Sequence, residues 1–394
     1  MVILSKTNLH RASTQWSSRP ADERFWDLPE LIAATKAIDA SRKATVAPVA
    51  KLRATWDEGT GLRLEAPGLA PTPMTHWAFS LMAARLGAPA RYLRSLPGEI
   101  VANLVNHGLS DGAWESKHDV RLSVRGNKDA HVEAFTSSRY GYIPNYKIGE
   151  GLQALTTLGW RVPPARPSGN SGERTRKATK DDILGNNKLG GGLNVKLGDL
   201  IAPAGIYASD KDLFCFLVHE KSAIDAGGFH LNRGIFVENS EVGAGSFRIT
   251  TFLYDAVCGN HIVWGATNVN EISVRHIGKA EPRAALAMES DLNEYLNADV
   301  KKSAKLIQVA QKTFLGKSRA EVVEKVYAHR RTHMSQDNAG RAFDLAEKLD
   351  ADRVDPTSVW GMVTGVTRLS QEMENADERT RLDGACEALM AMVA

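Results

Sequence analysis

The sequence predicts an α+β protein: a mainly antiparallel sheet core with flanking helices, a helical N-terminal part and a helical C-terminal part. Three observations lead there. Between residues 115 and 281, apolar residues alternate with polar ones in short runs joined by Gly, Asn and Asp turns, as antiparallel strands require. Before and after that region, apolar residues recur at three- and four-residue spacing, which places them on one helical face. The composition, 43% hydrophobic and 24% charged, is that of a chain that buries an ordinary core. The chain of 394 residues then divides into a segment at 1–114, a core at 115–281 and a helical region at 282–394.

Taken in order, "SSRPADERFWDLPELIAATKAIDASRK" starts a helix whose buried face carries Leu28, Leu31, Ile32 and Ile38. "PTPMTHWAFSLMAARLGAPARYLRSLPGEIVANLVNHGL" gives two helical segments, the first stopped at Leu86–Pro89 and the second started by Leu96-Pro97. Val120, Leu122 and Val124 then alternate, Gly126–Asp129 turns, and Val132 and Ala134 complete a hairpin. "YKIGEGLQALTTLGW" is a short helix ending at Gly159. Residues 161–192 are rich in Pro, Gly, Asn and charge, and read as a mobile basic insertion with no element of its own. Strands resume in "GLNVKLGDLIAPAGIYASDKDLFCFLVHEKSAI" and continue through "GIFVENSE", "SFRITTFLYDAV", "HIVWGA" and "EISVRHIG", with connections at Ala208–Asp212 and Asn239–Gly245. From Pro282 onward the period is helical.

Charge is distributed unevenly. The net formal charge is only +3, yet residues 161–196 carry eight basic side chains against three acidic, and residues 273–333 twelve against seven. Residues 334–394 reverse this, with six basic against twelve acidic. Two basic regions and an acidic tail suit a polyanionic partner, with the tail shielding the basic surface or docking on a neighbouring copy. The three cysteines, Cys215, Cys258 and Cys386, form no CxxC pair, so reduced thiols and a cytoplasmic location are expected. No run reaches the ~20 apolar residues of a membrane helix, and no membrane partner is expected.

Several stretches in order, "QWSSRPADERFWDL", "LGAPARYLRSLP", "AFTSSRYGYIPNYKIGEGLQAL", "NRGIFVENSEVGAGSFRITTFLYDAVCGNHIV", "VRHIG" and "SVWGMVTGVTRLSQEMENADERTRLDGACEAL", give the chain a wider likeness. It resembles the phage- and plasmid-related proteins grouped as domain of unknown function 932. It departs from their pattern at Gly361–Gly365. The resemblance implies mobile-element biology, in which replication, recombination and host defence are the usual tasks, and it implies no activity or catalytic residues.

Four candidate sites stand out. In "TSSRYGYIPN", Arg139 with Tyr140 and Tyr142 suits phosphate binding and base stacking, while a turn whose tyrosines cover the core and whose Ser/Thr and Asn145 cap the next helix explains the same residues. Arg174, Arg176, Lys177 and Lys180 on the insertion suit a cationic arm, and a solvated loop is the plainer alternative. Arg275 and Lys279, with His276 and Arg283 nearby, end the last strand and join Arg139 and Arg248 if all of them share one surface. Cys258, Asn260 and His261 invite a thiol-nucleophile reading, but alternation on a strand points His261 away from the thiol.

The glycines at 243 and 245 belong to neither a Walker A loop nor a G-x-G-x-x-G fingerprint, and "VHEK" lacks the second histidine of a zinc motif. No cofactor, metal or catalytic residue is assigned. The function expected is therefore non-enzymatic binding of single-stranded DNA or another nucleic acid, with annealing by a homo-oligomer. The alternatives are a metal-dependent nuclease or nucleotide hydrolase using His219, Glu220, His261 and His276, and a protein that binds a host factor through its acidic tail.

Overall fold

The computed structural model describes residues 21–110, 119–127, 129–167, 174–188, 195–203, 205–255, 261–263, 271–297, 300–348, 354–372 and 376–393. Its centre is an antiparallel sheet in which Arg24–Phe25, Ile206–Ala208, Leu213–Ala226, Phe229–Asn239 and Phe247–Asp255 lie side by side. Glu271–Val274 and His261–Val263 both pair with the last of these, and Trp160–Arg161 pairs with Leu213–Ala226. The α+β class and the antiparallel core are thus as the sequence predicts.

The central strands are apolar on both faces because both faces are covered. Leu213, Cys215, Leu217, Ile235, Val237, Phe247 and Ile249 point to one side, under the helices Leu28–Ala40, Asn145–Leu155 and Ala280–Asn297. Phe216, Val218, Phe236 and Phe252 point to the other, under the C-terminal helices. Those run Val300–Lys312, Arg319–Ala328, Gln336–Glu347, Val359–Glu372 and Ala376–Met390. Trp360, from the fourth of them, packs edge-on against Phe229 of the sheet at 5.4 Å between ring centres. A Cβ at Gly361 in the same helix would sit 1.9 Å from the Asp355 carbonyl oxygen, so only glycine lets the chain fold back there.

The N-terminal part is mixed and not helical as expected. Arg53–Asp57, Gly61–Ala66 and Leu69–Pro73 form a meander. Arg42–Pro48 pairs with Asp119–Arg125, which pairs with His131–Ser137. The predicted hairpin therefore exists, but in this separate sheet. Both small sheets share a core with the helices His76–Arg85 and Gly98–Ser110, centred on Leu64, Phe79, Met82, Val105, Leu122 and Phe135. The basic insertion also departs from expectation. Arg166–Pro167 and Arg176–Lys177 flank Leu200–Ala202 in a three-stranded sheet, and Lys180–Lys188 is a helix. Asp182 organises that turn by accepting from the Thr179 N–H at 2.7 Å, from the Thr179 hydroxyl at 2.8 Å and from Arg176. Residues 168–173 and 189–192 of the insertion lie outside the described residues.

Candidate nucleic-acid interface

Four of the ten predicted contact residues, Arg139, Tyr140, Arg275 and Lys279, converge at one corner of the central sheet. The Gly278 N–H donates to the Arg139 carbonyl at 3.0 Å, and Tyr140 forms a bridge with Ile277. The Gly141 N–H donates to the His276 carbonyl at 2.9 Å. This short ladder holds the loop after His131–Ser137 against the loop before Ala280–Asn297, which places Arg139, Arg275 and Lys279 together. Arg283 joins them: its guanidinium donates to the carbonyls of Arg275 at 2.9 Å and Ile277 at 2.6 Å. All four cations are exposed, and none has a carboxylate ion-pair partner among the described residues. Ile277 lies among them, 53% exposed, and Glu281 is the single acid in the adjoining helical turn.

Tyr140 and Tyr142, expected to offer their rings to bases, turn inward. The Tyr140 ring stacks on His276, with centroids 5.0 Å apart and planes 3° from parallel, and its hydroxyl donates to the Ser240 carbonyl at 2.8 Å. Burial pushes its phenol well above the usual range. Tyr142 enters a charge network centred on Arg42, which the sequence reading missed. The Arg42 guanidinium binds Glu133, Glu241, the Tyr142 hydroxyl and Asp39. Tyr142 in turn donates to Asp39 at 2.5 Å and contacts Glu241 at 3.0 Å. Glu133 also accepts from the Ser123 hydroxyl at 2.8 Å, and Glu241 from the Asn145 N–H at 2.7 Å.

Burial opposes charge on Arg42, but Glu241 and Glu133 outweigh it and hold the guanidinium above its ordinary value. Burial pushes the Glu241 carboxyl up, and the Arg42 charge and the Asn145 N–H pull it back. The network therefore rivets the N-terminal sheet to the link that follows Phe229–Asn239. Asn145 does not cap its helix; its side chain accepts from Asn239 at 2.8 Å, and Pro144 holds the cap position.

The insertion's cations sit elsewhere. Arg174 donates to the Arg24 carbonyl at 2.7 Å and pairs with Glu30. Arg176 lies 4.3 Å over the Trp26 ring and is held by both carboxylate oxygens of Asp182 at 2.6 Å, which lowers that carboxyl to about 2. Lys177 and Lys180 are exposed beside them. Arg248 pairs across the sheet with Glu238 at 3.1 Å. Arg24 and Arg275 adjoin opposite edges of the sheet, five strand spacings apart, or about 24 Å. The one continuous surface that the sequence suggests is thus divided into two patches.

The catalytic alternatives find little geometry. Cys258 and Asn260 lie outside the described residues, and His261 opens a strand. Both ring nitrogens of His219 are engaged: Nε2–H donates to the Leu158 carbonyl at 2.9 Å, while Nδ1 accepts from the Lys221 N–H at 3.3 Å. Burial lowers its pKa, as it does that of His276. Glu220 pairs with Arg161 at 3.2 Å. Among the described residues, no group of three His, Cys, Asp or Glu side chains could hold a metal ion. Gly243, at φ +82°, simply turns the link whose carbonyls accept from Tyr140 and Trp77. Among the described residues, no helix is long and apolar enough to cross a membrane.

Comparison with known families matches residues 189–388 to Domain of unknown function (DUF932). No curated protein and no solved structure matches the chain.

Proposed function

From the premise that this chain belongs to the family described as a domain of unknown function 932, a description that assigns no activity, we propose that it binds a nucleic-acid strand without chemically altering it. One observation carries this reading: Arg139, Arg275, Lys279 and Arg283 form an exposed cluster with no carboxylate ion-pair partner among the described residues. Four like charges gathered on rigid backbone repel one another, and a polyanion relieves that repulsion while its counterions are released. The Trp26–Arg176 stack offers a second contact about 24 Å along the sheet, and an extended strand of a few nucleotides spans that distance. Single-stranded DNA is the preferred partner, since a flexible strand can follow both patches. Annealing by a homo-oligomer in the cytosol, within the replication or recombination of a phage or plasmid, is the setting proposed. A metal-dependent nuclease is the less favoured reading because His219 has no ring nitrogen to spare.

The test is a mobility-shift titration of a fluorescent poly-dT oligonucleotide across a salt series, without divalent metal. We expect the affinity to fall steeply with salt. The combined variant Arg139→Ala, Arg275→Ala, Lys279→Ala should reduce the logarithmic slope by about two, at roughly 0.7 per lost phosphate contact. Absence of a shift at low salt, or an unchanged slope in the variant, overturns the proposal.

A further inference from the structure

A cleft of about 250 Å³ opens beside the Trp26–Arg176 stack, between the chain that leaves Trp160–Arg161 and the start of the helix Lys180–Lys188. That is below the roughly 300–1,000 Å³ of sites that enclose a whole small molecule. It is room for one planar ring system whose substituents stay outside. Residues 162–165 form one wall, where Pro163 and Pro164 carry no backbone N–H and present only carbonyls and ring carbons.

The remaining groups are charged and within reach of a ligand. Arg176 lies 4.3 Å over the Trp26 ring centre and is forked by Asp182 at 2.6 Å, so its guanidinium plane is fixed while the side chain stays 39% exposed. A guanidinium plane held in this way is a platform on which a base stacks. Glu220 also lines the cleft and is held by Arg161 at 3.2 Å. Asp181 is different: it lines the cleft, is exposed, and has no hydrogen-bond or ion-pair partner among the described residues. Lys180, next to it, is exposed and equally unpaired.

Each arginine of the cleft is thus matched by a carboxylate, and Asp181 is the acceptor left over. A free anion would meet three carboxylates there, and a free cation would meet Arg161, Arg176 and Lys180. A neutral ring that donates to Asp181 and carries its negative charge outside, toward Lys180, suits both signs. A base within a nucleic-acid strand has that arrangement.

We propose that this cleft takes one unstacked nucleobase bearing an exocyclic amino group, with Asp181 accepting from the amino N–H, Arg176 against the ring and Lys180 on the flanking phosphate. The assignment rests on the strand-binding reading above and adds a base preference to it. Uracil and thymine place a carbonyl where cytosine has its amino group, and a carbonyl facing the Asp181 carboxylate is repelled.

The probes are fluorescent oligo-deoxycytidine and oligo-deoxyuridine of one length, which differ at the base edge and not in the backbone. At equal salt the cytidine strand should bind about tenfold more tightly. Asp181→Ala, at an exposed position, should bring that ratio to about one, and so should Ala165→Trp, which fills the cleft from a half-buried loop. Equal affinity in the native chain, or a preference that persists in both variants, overturns the pocket and leaves the strand-binding reading standing. If neither oligomer binds, that reading falls, and deoxycytidine and deoxyuridine monophosphates decide the pocket by saturation-transfer NMR. Saturable contact by the first and none by the second upholds it; equal contact, or none by either, overturns it.

Discussion

Replacing Arg42 by methionine tests the charge network most directly. Methionine keeps much of the stem and removes only the guanidinium, so packing is largely preserved. Two carboxylates then lose the Arg42 guanidinium: Glu133 and Glu241, whose side chains are 2% and 9% exposed, although Glu133 keeps Arg125 at 3.6 Å. Breaking a buried pair from one side costs about 3–5 kcal/mol. Each acid retains a donor, the Ser123 hydroxyl for Glu133 and the Asn145 N–H for Glu241, so the lower end applies and about 3 kcal/mol is expected.

The sign with pH follows from the same chemistry. Burial already pushes the Glu241 carboxyl up, and without Arg42 the charge that most pulls it back is gone, so its folded pKa rises further above the unfolded one. The variant then keeps its stability below the unfolded carboxylate range and loses it as pH rises through the raised value. Its deficit relative to the native protein should narrow at acid pH. Urea denaturation of both proteins, followed by tryptophan fluorescence and by circular dichroism, measures the difference. The triple variant Arg42→Met, Glu133→Gln, Glu241→Gln should recover much of the loss. A deficit below about 1 kcal/mol, or one that does not change with pH, would show that Arg42 is not what holds the two sheets together.

Other outcomes follow from single contacts. Gly361→Ala should destabilise by about 1–3 kcal/mol in thermal or urea unfolding, because its Cβ would meet the Asp355 carbonyl, which is backbone and cannot step aside. His276 titrates below its ordinary value because it is buried, so the unfolded chain binds the proton first as pH falls. Stability should be full above the unfolded value and decline on acidification toward the lowered one, by at most about 1.4 kcal/mol per pH unit. A pH series of melting curves on the native chain and His276→Asn checks this. The Asp182 carboxyl should titrate at about 2 by carbon-13 NMR and return toward the normal range in Arg176→Ala, since the bidentate arginine is the largest cause of its shift.

The central strands were legible in the sequence because burial on both faces leaves runs such as Leu213–Val218 almost wholly apolar, and no other element explains them. The turn at Ala208–Asp212 was equally legible, since Ser209 and Asp212 close it locally at 2.7 Å. The meander Arg53–Pro73 was missed although Leu62, Leu64 and Ala66 alternate, because its strands are short and one edge carries prolines. Arg42, Glu133 and Glu241 were missed for a different reason: they lie in three distant segments, and only the fold brings them together. Glu133 did leave a trace, as the one acid in the strand "HVEAFTS". Arg139 and Arg275 lie together because each sits where a strand ends and a loop begins, and a short backbone ladder joins those two loops. The inward turn of Tyr140 and Tyr142 is the alternative of a turn whose tyrosines cover the core; the sequence leaves it beside base stacking, since an amphipathic ring suits either side of a surface.

The phenylalanines of the second sheet face have a bearing on synthesis. Phe216, Phe236 and Phe252 emerge from the ribosome with the middle of the chain, but the helices that cover them come from its last third. Until Val300–Lys312 and the helices after it have been made, the nascent protein exposes a slab of aromatic side chains. A polypeptide truncated before those helices should aggregate or engage a chaperone, however intact its strands.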